Sequence, residues 1–410
     1  MLDDLFAAAK APILITDARP IGFTDLAGTA ERVDVLIDAD GKVAAAGPGI
    51  ASQAPSEVRR VEAKGAFLSP GWVDLHTHVW WGGTDVSIRP EQCGAARGVT
   101  TLVDAGSAGE ANFHGLREHV MERARETIYA FLNIGSIGLV ACNRVSELID
   151  MRSVDLDRTV AVIEANRDRI VGVKCRASAV ITGTWGMEAL KLAKKIARVV
   201  DLPLMVHVGE PPPLYDDVLA VLDPGDIVTH CFNGKVGGSL LEDRTLWCLV
   251  EQAAARGIVL DVGHGGASFS FEVAEAAIAG GLLPHTISTD LHQWSLDGAV
   301  WDLATTLSKL LALGMPFEAV VKAATTTPRA AIRKPTDGFL TRGAAADFTL
   351  FDLVDERLEV RDSKGRPARL ERLFEPRRTI IGANLVEAHR HLPPDGPKGR
   401  AACPNCGWLQ

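Results

Sequence analysis

Residues 73–78 read Val73-Asp74-Leu75-His76-Thr77-His78, directly after the turn-forming Ser69-Pro70-Gly71. Side chains of a strand alternate between its two faces, so positions i and i+2 leave on the same side. His76 and His78 can therefore grip one metal ion from the end of a buried strand. Catalytic zinc normally takes three protein ligands and keeps one position open. The pair thus raises the question of where further ligands lie.

Working outward, apolar runs at 70–76, 99–105, 127–134, 170–176, 203–208, 226–231, 257–262 and 285–290 read as parallel strands. Helix-like stretches such as 117–126 and 187–197 fill most of the gaps. Eight strands alternating with helices over roughly 250 residues is the pattern of an α/β fold of the (β/α)8 TIM-barrel type. A doubly wound open sheet is the competitor, because both folds produce buried strands without alternation.

The polar residues at the strand ends separate the two. His76 and His78 close the first run, Lys174 lies in the fourth, His207 ends the fifth, His230 the sixth and Asp290 the eighth. A barrel brings all strand C-termini to one mouth, so these side chains converge, whereas an open sheet spreads them along a line. Each has a plainer reading alone. A histidine can be a hydrogen-bonded core residue, Lys174 can pair with a carboxylate, and Asp290 can cap a helix. Six such residues at one edge point to a metal site.

Both chain ends have another character. Residues 12–17 and 33–47 read as short strands, with Asp40-Gly41 as a hairpin turn, and 346–353 and 378–386 match them. The ends are expected to pair into one small β domain, 1–67 with 343–410, around a barrel spanning 68–342. The 410 residues suffice for both. A hydrophobic fraction of 47% and a charged fraction of 23% are ordinary for a globular enzyme. A net charge of -9 argues against a nucleic-acid partner. No apolar run reaches the length of a membrane span, and Met1-Leu2-Asp3-Asp4 lacks the basic start of a signal peptide. Seven scattered cysteines speak against a disulfide framework. The cytoplasm is the expected location.

With Pro70-Gly71-Trp72-Val73-Asp74-Leu75-His76-Thr77-His78, Gly98-Val99-Thr100-Thr101-Leu102-Val103-Asp104-Ala105-Gly106, Lys174, His207, His230 and Asp290 in place, the chain resembles the amidohydrolase superfamily over nearly its whole length. The resemblance implies a small β-sandwich built from the two ends. It also implies two divalent ions, usually zinc: His76, His78 and Asp290 on one, His207 and His230 on the other, and Lys174 bridging them as a CO2-derived carbamate. A metal-bridging hydroxide would attack the substrate, and Asp290 would carry its proton to the leaving group. Lys174-Cys175-Arg176-Ala177-Ser178, Asp261-Val262-Gly263-His264-Gly265 and Ser288-Thr289-Asp290-Leu291-His292 resemble a deacetylase subgroup near the dihydroorotases and D-aminoacylases. The activity implied is cleavage of an acyl ester or amide of a small α-substituted carboxylic acid, such as acetyl-(R)-mandelate or an N-acetyl amino acid. A cyclic amide is the alternative substrate, and a non-catalytic scaffold of the same fold a further one.

Substrate-facing residues are less sharply marked. Arg176 lies two positions beyond Lys174 on the same strand face, where its guanidinium can clamp a substrate carboxylate or pair with a rim acid. His264, between glycines, can approach the substrate, and His292 can orient Asp290; packing roles are equally open to both. Cys175 and Cys231 each follow a ligand position and so face away into the core. Cys403 and Cys406 form half of a zinc knuckle without a second pair. The expected partner is a small carboxylate substrate, with a homo-oligomer as a possible assembly.

Overall fold

Seven parallel strands, each covered on its outer side by apolar packing, form the centre of the chain. The computed structural model describes residues 11–24 and 31–393. Five strands precede the centre: β1 (Ile13–Pro20), β2 (Val33–Ile37), β3 (Val43–Gly47), β4 (Arg59–Glu62) and β5 (Phe67–Pro70). The central strands are β6 (Trp72–Thr77), β7 (Val99–Ala105), β8 (Thr127–Asn133), β9 (Ile170–Ala177), β10 (Leu204–Val208), β11 (Ile227–Thr229) and β12 (Val259–Asp261). Then come β13 (Asp347–Arg361), β14 (Pro367–Ile381) and β15 (Asn384–Glu387).

The strands β6 to β12 lie side by side in chain order, all parallel. Intervening helices such as Met187–Val199 and Arg244–Ala255 bury their apolar stripes on the sheet. Asp155 and Asp302 start two of these helices by accepting the amides of Arg158 and Thr305.

The eighth expected strand, 285–290, does not form as a regular strand. It touches the sheet through two isolated parallel bridges, Asp261–Thr286 and Thr77–Leu291. Those bridges lie on the sheet's two edge strands, so the segment spans the gap between them. Its irregularity has a local cause. The Thr289 amide donates to the Asp74 carboxylate, and the Ser288 and Thr289 hydroxyls donate to Asp261 and Asp74. Asp290 turns to a positive φ of 50°. Side-chain acceptors thus replace part of the ladder.

Strands from both ends share one eight-stranded sheet, ordered β15-β14-β13-β5-β1-β2-β3, with β4 pairing β1. They also share a core in which Ile13, Val35 and Leu68 meet Phe348 and Ile380. The Asp38 carboxylate caps the β2–β3 hairpin by accepting the amides of Asp40 and Lys42. The run 378–386 proves to be a hairpin, the end of β14 turning into β15. No described helix is long and apolar enough to cross a membrane.

An aromatic cluster joins this sheet to the centre. Phe351 stacks between Phe67 at 5.5 Å and Phe374 at 5.4 Å, and Trp72 of β6 tilts against it at 5.2 Å. Phe351 is fully buried. Phe351→Ala is expected to cost about 3–5 kcal/mol of stability, read as a lower urea midpoint in equilibrium unfolding.

Candidate metal centre

His76 is the penultimate residue of β6 and His78 follows directly after the strand; Lys174 lies in β9, His207 in β10, and His230 just past β11. Asp290 arrives on the irregular eighth segment. Its Oδ1 is 3.3 Å from His76 Nε2 and 3.1 Å from His78 Nε2, and its Oδ2 is 4.0 Å from His230 Nε2. His230 Nε2 faces His207 Nδ1 at 2.9 Å, and Lys174 Nζ is 3.3 Å from His76 Nε2. His76, His230 and Asp290 offer ligand atoms within 4.8 Å of one another. The structure therefore brings together all six residues singled out at the strand ends.

The backbone bends to achieve this. His230 and Asp290 adopt φ of 71° and 50°, a left-handed conformation unusual for side chains with a Cβ and concentrated at functional sites. Two glycines yield space: a Cβ on Gly106 would stand 2.7 Å from Lys174 Cγ, and one on Gly265 would stand 2.5 Å from Asp290 Oδ2.

Buried partners hold three of the four rings. His76 Nδ1 lies 2.8 Å from Thr229 Oγ1, which donates its own proton to Asp261 Oδ2 at 2.7 Å. Thr229 therefore accepts from His76, placing the proton on Nδ1 and the lone pair on Nε2. His230 Nδ1 donates to the Gly263 carbonyl at 2.6 Å, with the same result. His78 Nδ1 meets Ser107 Oγ at 3.0 Å, and the Ser107 amide is held by Asp104. Such outer partners orient imidazoles for metal binding. The inward lone pairs and the carboxylate are the donor set that suits a divalent cation.

The electrostatics agree with that chemistry. Burial holds His76 and His207 well below the ordinary histidine value and brings His230 down to about 4, so these rings are neutral and able to donate a lone pair. Burial raises the Asp290 carboxyl, but His76, His78 and His230 outweigh it and hold it well below the usual range. Burial also lowers the Lys174 amine to about 8. Besides His76, its Nζ contacts Met205 Sδ at 3.3 Å. Among the described residues no carboxylate oxygen lies within ion-pair distance of it, so it does not form the pair open to it in the sequence.

The substrate-facing candidates differ in placement. Arg176 lines the cavity of about 80 Å³ formed by His76, His78, Lys174, His207 and Asp290. Its Nε and Nη2 are gripped by buried Glu147, at 2.7 and 2.5 Å. His292 lines the same cavity, its Nδ1 accepting from the Trp294 amide at 3.3 Å. His264 lies away from this wall, fully buried, with Nε2 2.9 Å from Lys309 Nζ and Nδ1 3.0 Å from the Gly265 carbonyl. Cys175 and Cys231 are buried in the core, as expected. Cys403 and Cys406 lie outside the described residues. Sequence reasoning missed Glu147 and Glu210 and gave Lys235 no role of its own; Lys235 pairs with Glu210 at 2.8 Å. Glu147 lies in a long loop with no periodic signal, while Lys235 closes the run Thr229-His230-Cys231-Phe232-Asn233-Gly234-Lys235.

No family model matches the chain. A deacetylase of Agrobacterium fabrum is 60% identical over 384 residues, 94% of this chain and 94% of its own. A deacetylase of Enterococcus faecalis is 35% identical over 327 residues, 79% of this chain and 87% of that protein. Among solved structures, one described as a dihydroorotase has a TM-score of 0.89 at 59% identity, over 94% of this chain and 100% of that one. Another, described as an adenine deaminase, has a TM-score of 0.83 at 32% identity, over 92% and 100%. Fold and site together define a hydrolytic enzyme of a class whose members depend on metal ions. The chain belongs to the amidohydrolase superfamily, alongside relatives named deacetylases.

Thr229 sets the tautomer of His76 without facing the cavity itself. Thr229→Val is expected to leave the fold intact and weaken metal retention about 10–100-fold, measured by competition with a chromophoric chelator.

Proposed function

We propose that this enzyme is a binuclear zinc deacetylase, cleaving an acyl ester or amide of a small α-substituted carboxylic acid such as acetyl-(R)-mandelate or an N-acetyl amino acid. Lys174 carries the reading: a buried amine that has no carboxylate partner among the described residues and is set against the imidazole group. A neutral amine adds through its lone pair to the carbon of CO2 and releases a proton, leaving an anionic carbamate with two oxygens. An ammonium in that place would be repelled by cations; a carbamate suits a bridge between them. In this reading His76, His78 and Asp290 hold one ion, His207 and His230 the second, and carbamylated Lys174 both. Imidazole and carboxylate donors favour zinc. When bound, the ions polarise the acyl carbonyl and lower the pKa of water.

The chain's own groups perform the rest. Asp290, ionised beside His76 and His78, accepts the proton of the attacking water and passes it to the leaving group. Arg176, its plane fixed by Glu147, presents positive charge to the substrate carboxylate. His292 shapes the wall beside Asp290, whereas His264 supports the loop behind it. The same reading takes residues 68–342 as an eight-stave barrel and the ends, 1–67 and 343–410, as its β-sandwich. The cytoplasm is the proposed location and a homo-oligomer the proposed assembly.

A cyclic amide substrate is the second reading, favoured by the 59% identity to a structure described as a dihydroorotase. Assaying acetylated α-hydroxy acids and amino acids beside dihydroorotate separates the two, and turnover of the cyclic compound alone would overturn the deacetylase. Lys174→Arg keeps a positive charge but cannot form the carbamate; it is expected to lower zinc, measured by elemental analysis, from two ions per chain. Arg176→Met is expected to raise KM for anionic substrates roughly tenfold, with a smaller effect on kcat in steady-state assays.

A further inference from the structure

A second, larger cavity of about 330 Å³ adjoins the inner one, and Cys142, Arg176, His207 and Lys235 line both. The inner space, about 80 Å³, admits an acyl group of a few atoms beside the ligands. The outer wall is different. Val145 and Ile149 come from the loop after β8, and Val180 and Ile181 from the short helix Ala179–Thr182 after β9. Val145, Ile149 and Val180 are 57%, 56% and 42% exposed. Leaving such side chains in water forfeits the free energy of burial, and a cluster of them marks a place that something covers.

The charges on this wall run against the chain's overall sign. Arg144, Arg176 and Lys235 line it; Glu147 bonds Arg176 and Glu210 pairs with Lys235, which leaves an excess of one positive charge in a protein of net charge -9. A concave wall that shares four residues with the inner cavity is continuous with the site, which distinguishes it from a flat patch for another protein.

We infer that the outer cavity is the subsite for the substrate's α side chain, accepting large apolar groups and rejecting basic ones. This rests on the deacetylase reading, because the acyl group then fills the inner cavity and the α-carbon stands at the shared wall. Val145, Ile149, Val180 and Ile181 supply the apolar contact. Arg144, beside the paired Arg176 and Lys235, favours the carboxylate and repels a cationic side chain.

N-Acetylglycine, N-acetylnorleucine and N-acetyllysine test this, since norleucine and lysine have similar length and differ chiefly in charge. The wild-type enzyme is expected to give kcat/KM for norleucine roughly tenfold or more above both others. Val145→Asp/Ile149→Asp changes two exposed positions that the core does not use, and is expected to bring the norleucine-to-lysine ratio near one, mainly through KM. Equal wild-type values for the three substrates overturn the subsite, as does a double variant that keeps the wild-type ratio. A shift in oligomeric state of the double variant, read by sedimentation, assigns the wall to a contact between copies and also overturns it. Cleavage of none of the three, nor of the matching O-acetyl α-hydroxy acids, overturns the deacetylase reading instead. Calorimetry with α-hydroxyhexanoate and glycolate then decides the subsite: roughly tenfold tighter binding of the longer acid supports it, and equal affinities overturn it.

Discussion

The Asp290 amide donates to the His76 carbonyl at 2.6 Å, and much of the site depends on that one bond. It ties the first strand's end to the segment that spans the sheet's open side, and so presents the Asp290 carboxylate to His76 and His78. The same segment anchors lower down, where Thr289 gives both amide and hydroxyl to Asp74. Asp74 is wholly buried, and burial raises its carboxyl to about 7 even as these donors pull it down. Its place in the molecule is as an acceptor for a backbone that has left the ladder. Regular pairing has been exchanged here for side-chain bonds, and the exchange permits the turn at Asp290 that an extended strand would forbid.

Much of this was legible in the sequence because the informative residues lie on strands. The alternation that sets His76 beside His78, and the recurrence of a polar residue at the ends of apolar runs, need only the geometry of a parallel sheet. Six residues from five separate runs lie near one another in the structure for that reason. The segment 285–290 reads as a regular strand because its composition, Thr286-Ile287-Ser288-Thr289, is β-like, while its Thr289 amide and its hydroxyls answer to Asp74 and Asp261 across the sheet. No local pattern records those partners. The grip of Glu147 on Arg176 was invisible for a similar reason: it joins a loop residue to a strand residue 29 positions away.

His264 shows the limit of reading a motif by its neighbours. Flanking glycines suggested an approach to the substrate, and Gly265 does approach the site, since its missing Cβ makes room for Asp290 Oδ2. The imidazole itself turns outward to Lys309, whose ammonium also bonds the Ala299 and Arg361 carbonyls. The hydroxyl of Ser363, from the β13–β14 turn, reaches the Gly265 carbonyl at 2.8 Å. Residues far along the chain therefore brace the loop that leaves room for Asp290.

The shared sheet of the two ends has a consequence for synthesis on the ribosome. Strand β5 pairs with β13 some 280 residues later, so the opening strands emerge long before their final neighbour exists. Until the last strands are translated, β5 presents an unpaired edge, and Phe67 lacks the Phe351 ring that will cover it. Contacts of such long range form slowly, and exposed edges of this kind invite wrong pairings. The central sheet can assemble meanwhile, leaving the union of head and tail as the closing event in the nascent chain's maturation.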